Sequence, residues 1–96
     1  MLRVEIARLA QHDLENIYSY GATNFGVAKA DAYAAELMAA TRRLAEFSDL
    51  GMAIPGRRDG LRRLSSGAHI LLYRKAGATL LVARVLHARM DLDRHI

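Results

Sequence analysis

The sequence contains no cysteine. Disulfides and thiolate-held metals are therefore excluded, and a reducing cytoplasm suits the chain. It has one proline, Pro55, inside "DLGMAIPGRRDG". That mixture of Gly, Pro and Asp is expected to be the one long loop, dividing a helical half from a strand half. No apolar run approaches the roughly 18 residues of a membrane span. The start, "MLRVEIARLA", carries Arg3, Glu5 and Arg8 within ten residues and lacks the unbroken apolar stretch of a signal peptide. No glycine-rich loop joins a strand to a helix, which leaves no nucleotide cradle. No aromatic pair has the spacing of an RNA-stacking platform. The expectation is a soluble cytoplasmic protein, one domain over residues 1–96, with no repeat or linker.

Of the residues present, 52% are hydrophobic, but seventeen are alanine. The core is expected to be thin and to complete its burial against a partner. The net charge of +4 is unevenly spread. Residues 1–56 hold five Lys/Arg against seven Asp/Glu, and residues 57–96 hold nine against three. A basic second half attracts an acidic partner, either nucleic acid or an acidic protein surface, without naming it.

Hydropathy patterning then places the elements. "LRVEIA" alternates Leu2, Val4 and Ile6 against Arg3 and Glu5, which predicts a half-buried strand. In "QHDLENIYSYGATNFG", Leu14, Ile17, Tyr18 and Gly21 share one helical face. Asp13 and Glu15 are expected in the first turn of that helix, where its dipole favours anions. "NFG" supplies the helix end. Ala30, Tyr33, Leu37, Ala40, Leu44 and Phe47 form a second helical seam with steps of three and four. Its small residues allow close approach of the first helix as an antiparallel hairpin. "LRRLSS", "HILLYRK" and "TLLVARVLH" are then three strands joined by short glycine-containing turns. The order is β-α-α-β-β-β. The expected fold class is α+β, with a helical hairpin packed on one face of a small, mainly antiparallel sheet.

The chemistry-bearing residues crowd the end of the chain, "VLHARMDLDRHI". His87, Asp91 and His95 are four apart, but His87 closes a strand, so no metal is expected there. Metal-free RNA cleavage would need a base, an acid and cations. His69 and His87 could serve as the first two, with Arg62, Arg63, Arg84 and Arg89 as the cations. Each histidine also has a structural reading, His69 bonding carbonyls of the "SSG" turn and His87 closing a strand. Arg84 sits mid-strand on the face expected for Leu80, Val82 and Leu86 and needs a partner, for which Glu5 and Asp91 are the candidates. Tyr18 and Tyr33 are expected in the core, and Tyr20 exposed at an interface. Mixed charge around the apolar Met90 and Ile96 describes a docking segment better than a catalytic centre.

Four stretches, "DLENIYSYGATNFG", "AYAAELMAATRRLAEF", "LRRLSSGAHILLYR" and "ARVLHARMDLDRHI", cover nearly the whole chain. In content and order they resemble the ParE branch of the RelE/ParE superfamily, the toxins of type II toxin–antitoxin systems. The resemblance implies a toxin that inhibits DNA gyrase by protein binding, without catalytic chemistry or a cofactor. It also implies neutralisation by a ParD-like antitoxin encoded beside it. No sequence-specific DNA binding by this chain alone is expected. On that resemblance the target-binding candidates are Arg62, Arg63, Arg89, Met90 and Arg94. The antitoxin-binding candidates are Leu14, Ile17, Tyr20, Tyr33 and Leu37. The sister RelE branch cuts messenger RNA on the ribosome with sheet cations and a tyrosine after the last strand. Here "ARMDLDRHI" has no tyrosine, and His69 stands about where that branch places an arginine. A RelE-type endonuclease and an inactive antitoxin-binding member are the alternatives.

Overall fold

A computed structural model of the chain describes residues 1–95. Strand β1 (Arg3–Ile6) leads into helices α1 (Arg8–Phe25) and α2 (Val27–Glu46). Four strands follow: β2 (Met52–Ala53), β3 (Arg62–Ser66), β4 (His69–Ala76) and β5 (Thr79–His87). A 3₁₀ turn at Leu92–Arg94 comes last. The sheet order is β1-β5-β4-β3-β2. The first strand pairs parallel with the last, and every other pairing is antiparallel. This is the expected α+β architecture. The loop around Pro55 contributes one element the hydropathy pattern does not show, β2 on the outer edge.

The two helices meet at a single residue. Gly26 has φ +94°, a conformation L side chains rarely adopt, and it is the end of α1 and the start of α2 at once. The hairpin then closes tightly. A Cβ placed on Gly21 would lie 3.4 Å from that of Ala30, so a small residue on each helix sets the approach. Helix α1 begins at Arg8, earlier than the pattern suggested, which puts Asp13 in the second turn and leaves the first turn without acidic residues. The role expected of Asp13 at the helix dipole is thereby replaced by another, described below.

The sheet is buried on both faces. Ala10, Ala40 and Leu44 from the helices pack with Leu71, Tyr73, Leu80, Val82 and Val85. On the opposite face Ile70, Leu72 and Leu86 pack with Ile54 and Leu61 from the loop, and with Leu92 from the tail. Strand β4 therefore needs apolar residues on both sides, which is why "HILLY" is a continuous run and not an alternation. In β5 the alternation changes phase. Tyr73 pairs with Val82 but Leu72 pairs with Arg84, so Ala83 is an extra, bulged residue. Val82 and Val85 consequently face the helices, while Ala83 and Leu86 join the other cluster. The expectation that Arg84 shares a face with both Val82 and Leu86 fails for this reason.

The seam of α2 is buried at Ala30, Leu37, Ala40 and Leu44, but Phe47 lies beyond the helix and is 64% exposed. Tyr18, expected in the core, instead reaches the surface and donates a hydrogen bond to Asp31 at 2.6 Å. Tyr73 is fully buried, and its hydroxyl holds the start of the long loop. It donates to the Ser48 carbonyl at 2.8 Å and accepts the Gly51 N–H at 2.9 Å.

Candidate functional site: an apolar groove at the end of the sheet

Helix α1 outruns the sheet it packs against. Asp13 touches Val85 near the end of β5, so the third and later turns of α1 and the first turns of α2 extend past the strands. Between this projecting hairpin and the sheet end lies a groove of about 890 Å³. All five antitoxin-binding candidates line it: Leu14, Ile17, Tyr20, Tyr33 and Leu37. Its lining is mostly apolar and, among the described residues, contains no acidic side chain. Tyr20 and Phe25 stand at its outer end, 65% and 61% exposed, with their rings edge to face. The hydropathy pattern missed Phe25 and Lys29. For Lys29 the signal was a step of four, because Lys29, Tyr33 and Leu37 continue one row of α2; Phe25 ends α1 and had no such signal.

The inner end of the groove is polar and is built by the β3–β4 turn. Gly67 there has φ +57°, and a Cβ on it would meet the Tyr33 ring at 2.7 Å. Tyr33 lies flush on that turn. Its hydroxyl accepts the Ala68 N–H at 3.0 Å and stands 2.5 Å from His69 Nδ1. The single hydroxyl proton has two acceptors within reach, His69 Nδ1 at 2.5 Å and the Ser66 carbonyl at 3.5 Å, and we assign it to the nearer, His69 Nδ1. The partner of His69 is thus a tyrosine, where a turn carbonyl was expected. His69 and His87 are directly paired across β4 and β5, with ring centres 5.4 Å apart. His87 Nδ1 accepts the Arg89 N–H at 3.1 Å. Burial first, and then the charge of His87, hold the His69 imidazole below its usual pKa. Burial likewise raises the Tyr33 hydroxyl, which keeps it a donor.

The five target-binding candidates fall into two places. Arg62 and Arg63 pair with Tyr73 and Leu72, several residues back from the sheet end at which β5 hands over to the tail. The guanidinium of Arg62 donates to the carbonyls of Asp49 and Gly51 at 3.2 and 2.6 Å, so it braces the loop. Arg89, Met90 and Arg94 are exposed in the tail. Arg94 approaches Asp91 at 3.5 Å with both side chains mostly in water. The tail is held to the fold through Leu92 on the outer sheet cluster. Ile96, expected with Met90 to be an apolar contact of the docking segment, lies outside the described residues. The stripe of His87, Asp91 and His95 is broken, since His87 closes β5 and Asp91 caps the 3₁₀ turn.

Arg84 has neither of its expected partners. It forms a two-point ion pair with Asp13 on α1, Nε to Oδ2 at 2.8 Å and Nη2 to Oδ1 at 2.9 Å. The pair joins helix and sheet and leaves Arg84 no free charge for an anionic ligand.

Two helices on a five-stranded, mostly antiparallel sheet define the fold shared by RelE- and ParE-type toxins. Among solved structures, the chromosomal ParDE system from P. aeruginosa superposes with a TM-score of 0.77. It shares 21% identity and covers 91% of this chain and 96% of that one. The toxin–antitoxin complex RelBE2 from Mycobacterium tuberculosis gives 0.58 at 22% identity, over 90% and 96% of the two chains.

Sequence comparison narrows the class. The family described as "ParE toxin of type II toxin-antitoxin system, parDE" matches residues 4–92. Toxin ParE1 of Mycobacterium tuberculosis is 41% identical over 95 residues, 98% of this chain and 97% of that one. Toxin ParE1 of Caulobacter vibrioides is 36% identical over 91 residues, 95% and 94% of the two. The chain belongs to the ParE toxin family of type II toxin–antitoxin systems.

Proposed function

We propose that this chain inhibits DNA gyrase by protein contact and is silenced by a ParD-like antitoxin whose C-terminal segment fills the groove of α1 and α2. The observation that carries the antitoxin half is the groove itself. An apolar channel bordered by a 65% exposed Tyr20 and a 61% exposed Phe25 suits the apolar face of an amphipathic helix. The partner segment is disordered alone and orders on docking, which is how a small acidic antitoxin can cover a large surface. The chain acts in the cytoplasm, and no helix among the described residues is long and apolar enough to cross a membrane. The target meets the exposed tail through Arg89, Met90 and Arg94, with Arg63 and Arg62 contributing to the basic field. Binding without catalysis is supported by Arg84, one of the cations an RNA-cleaving site would need, which is paired with Asp13 inside the fold.

The test uses purified toxin with gyrase, scoring supercoiling and cleavage complexes, beside a translation reaction scored for cut messenger RNA. Loss of supercoiling with intact messenger RNA is expected. Cut messenger RNA with untouched gyrase would replace this reading with the endonuclease. Inactivity in both assays with tight antitoxin binding would leave an inactive, antitoxin-binding member.

A further inference from the structure

The inner end of the groove carries two hydrogen-bond donors that the fold does not use. Tyr33 donates to His69 Nδ1, and the Arg89 N–H donates to His87 Nδ1. A neutral imidazole whose Nδ1 accepts must carry its proton on Nε2. The Arg89 N–H makes neutral His87 an Nε2–H tautomer, the assignment of the Tyr33 proton to Nδ1 makes His69 the same, and both rings line the groove. Neither Nε2 has a hydrogen-bond partner among the described residues, and neither is sealed from solvent. The rings are cross-strand neighbours with centres 5.4 Å apart. Covering such donors with an apolar surface would cost their hydration, so an occupant that buries them must supply an acceptor.

The charge around them favours an anionic acceptor. Among the described residues, Lys29 is the one Lys or Arg of the groove lining, and no Asp or Glu lines it. The nearby carboxylates lie outside: Asp31 is held by the Tyr18 hydroxyl, and Glu36 is exposed on α2. We propose that His69 and His87 together read one carboxylate, an Asp or Glu side chain of the docked antitoxin segment, through their two Nε2–H groups. The apolar channel supplies area, and the histidine pair fixes the register of the segment along it. This rests on the groove being the antitoxin site.

Two kinds of substitution separate the ring nitrogens. Asparagine keeps an acceptor near the position of Nδ1, for Tyr33 or for the Arg89 N–H, and removes Nε2–H. Glutamine places an N–H near Nε2. The probe is the full-length antitoxin from the adjacent reading frame, titrated calorimetrically against the toxin, with each Asp and Glu of its C-terminal half changed in turn to Asn or Gln. One such change should weaken binding to wild-type toxin roughly tenfold, as expected for a charge-assisted hydrogen bond. The same change should have no further effect against toxin carrying His69→Asn and His87→Asn. A His87→Gln toxin should retain most of the coupling. The inference is overturned if no single carboxylate is coupled to the histidines, or if the coupling survives the double asparagine variant. Tyr20→Glu, on an exposed side chain, serves as the control for the groove itself. If it abolishes binding while no carboxylate couples, only the histidine reading falls. If it leaves binding unchanged, the groove reading falls as well.

Discussion

Asp13 and Arg84 lie 71 positions apart and meet in a two-point ion pair, and the same Asp13 Oδ2 also accepts the Val85 N–H at 2.9 Å. The pairing of β1 with β5 ends at Ile6 and Val82, so beyond it this side of β5 has no strand to bond. A carboxylate from α1 stands in for the missing strand. One side chain thus satisfies a sheet-edge N–H, neutralises an arginine and locks α1 against β5.

Asp13→Ala should therefore destabilise the protein by about 2 kcal/mol, because it leaves Arg84 and the Val85 N–H unpaired at a partly solvated site. Burial raises the Asp13 pKa, but the hydrogen bonds from Arg84 and Val85, with the charge of Arg84, outweigh it and hold the carboxyl below its usual value. A depressed carboxyl stabilises the fold fully above its unfolded pKa and loses that contribution as pH falls through the depressed one. Urea unfolding should show wild type losing stability below about pH 4 more steeply than Asp13→Ala.

His69 is expected to act in a neighbouring pH range with the same sign. Its folded pKa is lowered, so the neutral ring stabilises the native state above the unfolded pKa. Stability should fall as pH drops from about 6.5 through the folded value. In His69→Asn, which keeps an acceptor for Tyr33, thermal melts between neutral pH and about pH 5 should be flatter than in wild type. Equal slopes in the two proteins would remove His69 from this role.

Leu37 is 1% exposed at the floor of the groove. Leu37→Ala should cost about 2–5 kcal/mol in chemical unfolding. Tyr20→Ala should change stability by less than about 0.5 kcal/mol, since its side chain is largely in water, yet it should weaken antitoxin binding. Together the two variants separate the core of the hairpin from its docking surface.

The tail calls for point variants before truncation. Deleting residues 89–96 removes Leu92 from the outer sheet cluster and should itself cost roughly 1 kcal/mol. Arg89→Ala and Arg94→Ala avoid that loss, because both side chains are exposed and the Arg94–Asp91 contact is a weak surface pair. Each should leave the melting temperature within about 2 °C of wild type and weaken growth arrest. Arrest at full strength in the double variant would exclude the tail arginines from target contact.

Much of this protein could be read locally. The steps of three and four through Ala30, Leu37, Ala40 and Leu44, the alternation in β1 and the glycine turns at 67 and 77 are set by neighbours a few residues away. Element order and fold class follow from them, and so does the row of Leu14, Ile17, Tyr33 and Leu37 that becomes the groove wall. What escaped depends on contacts between distant parts of the chain. The bulge at Ala83 reverses which residues of β5 share a face, and the period-two pattern cannot count an inserted residue. Arg84 required a carboxylate, but only the packing angle of α1 on the sheet chose Asp13 over Glu5 or Asp91. Tyr18 and Phe47 carry the right spacing for a core, but each sits where the helix has run past or beyond what it packs on. The His69–His87 pair exists because β4 and β5 align those positions, and it becomes a groove wall because Tyr33 brings α2 down onto the Gly67 turn. Periodicity is a property of one element, whereas a site at the junction of two helices and a sheet end is decided by tertiary packing.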